Sequence, residues 1–137
     1  MALGPLGGTS GYMLTTSSGL AAPVVQIAAQ QAQLMFFAAG NNNGAQRFLR
    51  FYDTASVPAL NAQGATSANG MQAAYQFIIP GSTAGAGSNL PLSPGPPIMS
   101  GLQFSAGLAV SITSNYAIGD LSGISGVNEC FAVIGFR

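Results

Sequence analysis

Formal charge in this 137-residue sequence rests on six side chains, Arg47, Arg50, Arg137, Asp53, Asp120 and Glu129, and there is no His and no Lys. That inventory leaves little chemistry to choose from. Without an imidazole or an amine, the usual general base, the Ser-His-Asp and Cys-His nucleophile systems and a Schiff base are all missing. What remains is a carboxylate pair, and the spacing of the acids works against one. Asp53 closes one expected strand, Asp120 lies in an expected loop and Glu129 opens another strand. Turn capping and solvated strand ends are the roles such positions predict. Zinc sites draw on Cys and His and calcium sites on clustered carboxylates, so no metal is expected. Gly4, Gly7, Gly8 and Gly11 loosely suggest a phosphate-cradling loop, but no strand precedes them and no Lys follows. Neither a cofactor nor an enzymatic role is therefore expected. Three arginines cannot neutralise many phosphates, which argues against a nucleic-acid partner. Cys130, the one cysteine, sits beside Phe131, Ala132 and Val133, and this setting predicts a small buried hydrophobe rather than a reactive thiol.

The constellation that stands out is Arg47-Phe48-Leu49-Arg50-Phe51-Tyr52-Asp53. In a strand, Leu49 and Phe51 share one face, and Phe48, Arg50 and Tyr52 share the other. If the first pair is core, the second set is an aromatic and arginine patch of the composition found at interface hot spots. The alternative is an Arg50 stem lying between two rings on a solvated sheet, which needs no partner.

The elements that would carry this patch are short runs of period two bounded by turn residues. Strands are expected over residues 24–29, 33–39, 47–53, 71–79, 98–104, 108–113 and 129–136. Asn41-Asn42-Asn43-Gly44 predicts a tight hairpin between the second and third. Polar or Gly/Ser/Pro-rich loops are expected over 54–70, 81–97 and 114–127, and Pro94-Gly95-Pro96-Pro97 cannot enter a central strand. Residues 1–20 lack a periodic apolar face and predict an extended Gly-rich arm, in which Leu3, Leu6, Tyr12 and Met13 would anchor against a neighbouring subunit; a frayed terminus is the alternative. Residues 21–137 then form one domain. About seven or eight short strands with unequal loops predict an all-β, jelly-roll-like β-sandwich. A helix over 21–39 competes with that assignment, opposed by Pro23 and the Val24-Val25 pair. The same stretch has the length of a membrane span, but Gln26, Gln30, Gln31 and Gln33 and the lack of basic flanks oppose insertion. The first basic residue is Arg47, so no basic region of a secretory signal is expected.

Composition carries the functional expectation. Charged residues make up 4% of the chain and apolar ones 48%, where a freely diffusing domain displays about a quarter of its residues as charges. A mean hydropathy of +0.41 with zero net charge also excludes intrinsic disorder. Such a surface is expected to be covered in its working state, by copies of itself or by a larger assembly.

Three stretches, in order, carry a resemblance: residues 47–55, RFLRFYDTA; residues 77–81, FIIPG; and residues 101–113, GLQFSAGLAVSIT. This series resembles a family of small virion proteins of tailed bacteriophages, with a basic-aromatic strand ending in a YD turn, an apolar strand ending in Pro-Gly, and a strand pair of the type GLRFSTGLA. It spans roughly residues 33–137 and departs from that pattern at Gln103, where a basic residue is usual. The resemblance implies a small β-sandwich on the virion, made in the host cytoplasm, acting as a decoration or cement protein on the outer capsid surface. Its partners would be the major capsid protein and copies of itself, as a homodimer or homotrimer. A head-fibre, tail or receptor-binding module is the alternative implied.

Overall fold

A computed structural model describes residues 10–15, 24–57, 73–82, 88–92, 101–116 and 129–137. The described residues form nine strands and no helix: β1 (Ser10–Thr15), β2 (Val25–Ala28), β3 (Ala32–Asn41), β4 (Arg47–Asp53), β5 (Tyr75–Ile79), β6 (Ser88–Leu92), β7 (Leu102–Phe104), β8 (Leu108–Thr113) and β9 (Cys130–Phe136). They build two antiparallel sheets. Sheet A has the order β1-β9-β3-β6, with β7 continuing the edge of β3 beside Ala32, Gln33 and Leu34. Sheet B has the order β2-β8-β4-β5. The expected strands over 47–53 and 108–113 match β4 and β8 residue for residue. Of those over 71–79 and 98–104, residues 75–79 and 102–104 form β5 and β7, and residues 71–72 and 98–100 lie outside the described residues. No helix among the described residues is long and apolar enough to cross a membrane, and β2 and β3 occupy most of the stretch where a helix competed.

One apolar core joins the sheets. Leu34, Phe37, Ala39, Cys130, Ala132 and Ile134 come from sheet A, and Leu49, Phe51, Ile79, Leu108, Val110 and Ile112 from sheet B. Phe37 meets Phe51 and Phe77 with ring centroids 5.3 and 4.7 Å apart, in the tilted geometry that aromatic quadrupoles favour. Leu34 and Phe37 both reach this core although they are an odd number of positions apart, because the register of β3 against β9 shifts between Leu34 and Phe36.

Three expectations are corrected. Asn41 to Gly44 does not close a hairpin, because β3 belongs to sheet A and β4 to sheet B; the segment is a crossing between sheets. Residues 10–15, expected in the arm, run along β9 as the edge strand β1, with Tyr12 opposite Ile134 and Met13 opposite Val133. The loop expected over 81–97 contains β6, which pairs with β3 and includes Pro91. Proline is tolerated there because an edge strand leaves one side of its ladder unused. Leu3, Leu6 and the Pro94 to Pro97 run lie outside the described residues.

Charged residues on β4 hold the two crossings. At its start, Arg47 Nη2 and Nε reach Glu129 Oε1 at 2.5 and 2.7 Å, linking sheet B to the residue that precedes β9 in sheet A. The Glu129 carbonyl accepts from the Asn42 amide at 2.8 Å. Beside it, Asn41 Nδ2 donates to the carbonyls of Ala45 and Pro80, and its Oδ1 accepts from the Asn43 amide at 2.9 Å. Glu129, expected as a solvated strand end, is buried in this ion pair because the 42–46 crossing closes over it. Backbones here approach so closely that a Cβ on Gly81 would run into the Gly44 carbonyl.

At the other end of β4, Asp53 caps the turn that takes the chain from β7 to β8. Its Oδ2 accepts from the Ser105 amide at 3.1 Å and hydroxyl at 2.9 Å, and its Oδ1 from the amides of Ala106 at 2.7 Å and Gly107 at 3.3 Å. Desolvation pushes the carboxyl upward, but the amides of Ala106 and Ser105, the Ser105 hydroxyl and the Gly107 amide outweigh it and hold it below 3.8. Turn capping, the role expected of this acid, is what it performs.

Two outcomes follow for stability. Glu129→Ala strands a buried Arg47 and is expected to cost roughly 3–5 kcal/mol in urea unfolding, whereas the double change Arg47→Met with Glu129→Leu costs much less than either single change. Asp53→Ala is expected to cost about 1 kcal/mol at neutral pH, the scale of a lost cap. Because the folded carboxyl titrates below its unfolded value, its contribution is complete above 3.8 and fades as pH falls through the folded value. Unfolding of Asp53→Ala should therefore lose less stability than the parent on acidification below about pH 4.

Candidate functional site

Phe48, Arg50 and Tyr52 do share the outer face of β4, as strand parity requires, but they are 2%, 0% and 0% exposed. The open interface patch expected from the sequence is thus a covered layer. Tyr52 packs with Val24, Ala109, Val57 and Ala73, and its hydroxyl lies 3.0 Å from Ser111 Oγ. Arg50 Nε donates to Gln76 Oε1 at 2.7 Å and Nη2 to the Asn115 carbonyl at 2.6 Å. The Phe48 ring meets Tyr116 edge-on at 5.6 Å. The physical reason is desolvation by the chain's own uncharged segments, 24, 57, 73 and 115–116, which converge here from distant points in sequence.

Charge is thereby removed from the surface. Arg47, Arg50 and Glu129 are interior, and among the described residues Asp53 and Arg137 are the exposed charged side chains. Asp53 is engaged by its turn, and Arg137 Nε donates to Gln33 Oε1. Asp120 lies outside the described residues. Nor do the described residues gather three or more His, Cys, Asp or Glu into a group able to hold a metal ion. Cys130 is buried, as its neighbours predict, and its thiol donates to Asn41 Oδ1 at 3.4 Å. Burial, and then the Glu129 carboxylate, push this thiol up to about 12 against the opposing pull of Arg47. A thiolate does not form at neutral pH under those conditions.

Besides small and uncharged polar residues, the described surface displays several large apolar side chains. Phe36, Phe131, Ile78 and Tyr116 are 42%, 40%, 47% and 65% exposed. Phe36 and Phe131 lie on the outer face of sheet A, where the register sets Phe36 opposite Gly135, Ala38 opposite Val133 and Gly40 opposite Phe131. The Phe36 ring lies across Gly135, since a Cβ built on that glycine would run into it. Ile78 sits on β5 opposite Phe48, on the outer side of sheet B. Sequence parity alone misses the sheet A face because the register shift in β3 sets Phe36, rather than its neighbours, outward. The alternation Phe131, Val133, Gly135 was the available signal.

No protein-family model and no curated protein sequence matches the chain.

Arg50→Glu would place a carboxylate against the Gln76 and Asn115 oxygens in a dehydrated layer. We expect it to destabilise the fold by roughly 3 kcal/mol or more, with Arg50→Met milder, as read by urea unfolding.

Proposed function

We propose that this chain is a structural virion protein of a tailed bacteriophage, a decoration or cement subunit that binds the outer capsid surface and bridges neighbouring major capsid subunits. The observation that carries the reading is the surface just described, which buries three of the five described charged side chains and leaves Phe36, Phe131, Ile78 and Tyr116 exposed. Apolar contacts of this kind keep their strength across ionic conditions, whereas exposed ion pairs are screened. A shell that repeats one contact many times needs only a modest interface at each.

Two further features support it. The strand orders β1-β9-β3-β6 and β2-β8-β4-β5, with β7 counted as an addition to the edge of sheet A, support a jelly-roll reading of the two antiparallel sheets. The stretches that carry the phage-protein resemblance fall on β4, on β5 with its Pro80-Gly81 exit, and on β7 and β8 with the turn between them. Residues 1–20 would then add contacts beyond β1, through Leu3 and Leu6. A receptor-binding module is the second reading, favoured by Tyr116, an exposed ring of the kind that stacks on sugars.

Cryo-electron microscopy of the particle that carries this chain tests the proposal. Density bridging capsomers at lattice positions is the expected result, and density confined to a tail or fibre overturns it in favour of the second reading. In a companion assay, attachment of the purified chain to undecorated heads is expected to persist from about 0.1 to 1 M salt, over which the Debye length falls from ~10 to ~3 Å.

A further inference from the structure

We propose that Asn43 is a self-modification site: in the folded chain its side-chain amide is lost to attack by the Gly44 amide nitrogen, leaving an aspartyl or isoaspartyl residue in the crossing from β3 to β4. Three features of the crossing favour this reaction. The Gly44 amide, the nucleophile, has no hydrogen-bond acceptor among the described residues. Gly44 is exposed to water and carries no Cβ to obstruct the approach. The Asn43 side chain is folded back over the Gly44 peptide, because the Ala45 amide donates to Asn43 Oδ1 at 2.9 Å and closes a ring that contains both Cγ and the Gly44 nitrogen.

The same hydrogen bond acts on the reaction itself. Negative charge develops on Oδ1 as Cγ becomes tetrahedral, and a donor already aimed at that oxygen stabilises the charged state. It also fixes the orientation of the amide, since the Ala45 N–H must meet Oδ1 and not Nδ2. Nδ2, the leaving nitrogen, holds no hydrogen bond among the described residues. The backbone is held on both sides, with the Asn43 amide donating to Asn41 Oδ1 at 2.9 Å and the Asn43 carbonyl accepting from the Ser82 amide at 2.8 Å. Restraint of this kind removes part of the entropic cost of bringing nucleophile and carbonyl together. The Gly44 nitrogen gives its proton to solvent base and bonds to Cγ; the Cγ–Nδ2 bond breaks, and Nδ2 leaves as ammonia with a proton from water. Water then opens the five-membered imide. Opening at Cγ leaves an ordinary main chain with Asp, and opening at the Asn43 carbonyl routes the chain through the side chain, one carbon longer. One water is consumed and one ammonia released, with no change of oxidation state.

The other asparagines of the run are not equivalent. Asn41 is buried with Nδ2 bonded to the carbonyls of Ala45 and Pro80, and Asn42 is followed by Asn43 rather than by glycine. Nor does the backbone require glycine at position 44. Its φ lies outside the left-handed region, and a Cβ there would meet the Ser82 carbonyl at 3.6 Å, an ordinary contact. Gly44→Ala therefore keeps the crossing while hindering the nucleophile. Each conversion adds a carboxylate to a chain of zero formal net charge, so the protein ages into a more acidic form. The reaction needs no partner and is independent of the proposed virion role.

Peptide-mapping mass spectrometry of the full chain, aged in mildly alkaline buffer either folded or unfolded in guanidinium chloride, tests the proposal. The expected result is a gain of about one dalton at residue 43, the change from amide to acid, with an acidic shift in isoelectric focusing. Its rate should be at least as high in the folded chain as in the unfolded one and should rise with hydroxide concentration. Mapping separates it from Asn69-Gly70, the second such pair in the sequence, which lies outside the described residues. Gly44→Ala should slow the gain at residue 43 by about tenfold or more, equivalent to ~1.4 kcal/mol or more on the barrier, and leave the rate at Asn69 unchanged. Far-ultraviolet circular dichroism shows whether Gly44→Ala keeps the fold; if it does not, the comparison of folded and unfolded parent decides alone. An Asn43 amide that persists in the folded chain overturns the proposal, as does a rate lower in the folded chain than in the unfolded one, or a folded Gly44→Ala that converts as fast as the parent.

Discussion

Strand β4 is the constraint on which the rest of the molecule depends. It contributes Arg47, Arg50 and Asp53, half of the six charged side chains, and turns each inward or against a turn. The Arg47–Glu129 pair and the Asp53 cap stand at opposite ends of the strand, and each holds a point where the chain passes between sheets. Between them Leu49 and Phe51 fill the shared core. Burying an ion pair contributes little net stability over an apolar pair of the same volume, but it penalises every arrangement that separates the partners. Sheet B is thereby aligned on sheet A at both ends, and β3, β7, β8 and β9 take positions consistent with that alignment.

The surface that supports the proposed role is the other side of the same arrangement. A chain with few charges, most of them committed to internal geometry, has little left to keep itself apart from other surfaces. The apolar groups that show are spread over both sheets, with Phe36 and Phe131 on sheet A and Ile78 on sheet B. Such a distribution suits a subunit with several neighbours better than one with a single ligand cleft.

Much of the all-β architecture was legible in the residues, and the reasons are local. β4 and β8 are aromatic or β-branched runs free of Gly and Pro, so parity and bounds could be read together. β6 was illegible because Pro91 and its Gly/Ser-rich surroundings describe a loop, and only its edge position makes a strand possible. Asn-Gly chemistry at 41–44 announces a tight change of direction but carries no information about which sheet receives the next strand. The patch at Phe48, Arg50 and Tyr52 was correctly assigned to one face. Its cover comes from residues dozens of positions away, and the solvent exposure of a face is a tertiary property that parity cannot carry. The sheet A face was hidden for the opposite reason, a one-residue shift in β3 that turns Phe36 outward.

Cys130 lies where these arrangements meet, on sheet A beside Glu129 and against Asn41 at the 42–46 crossing. With its thiol held near 12 and no solvent access, it is silent to alkylating reagents while the sheets stay together. Each parting of that corner removes burial and the Glu129 influence at once and returns the sulfur to ordinary reactivity. The molecule thus contains its own clock, since the rate at which this single sulfur is captured measures how often the two sheets breathe apart.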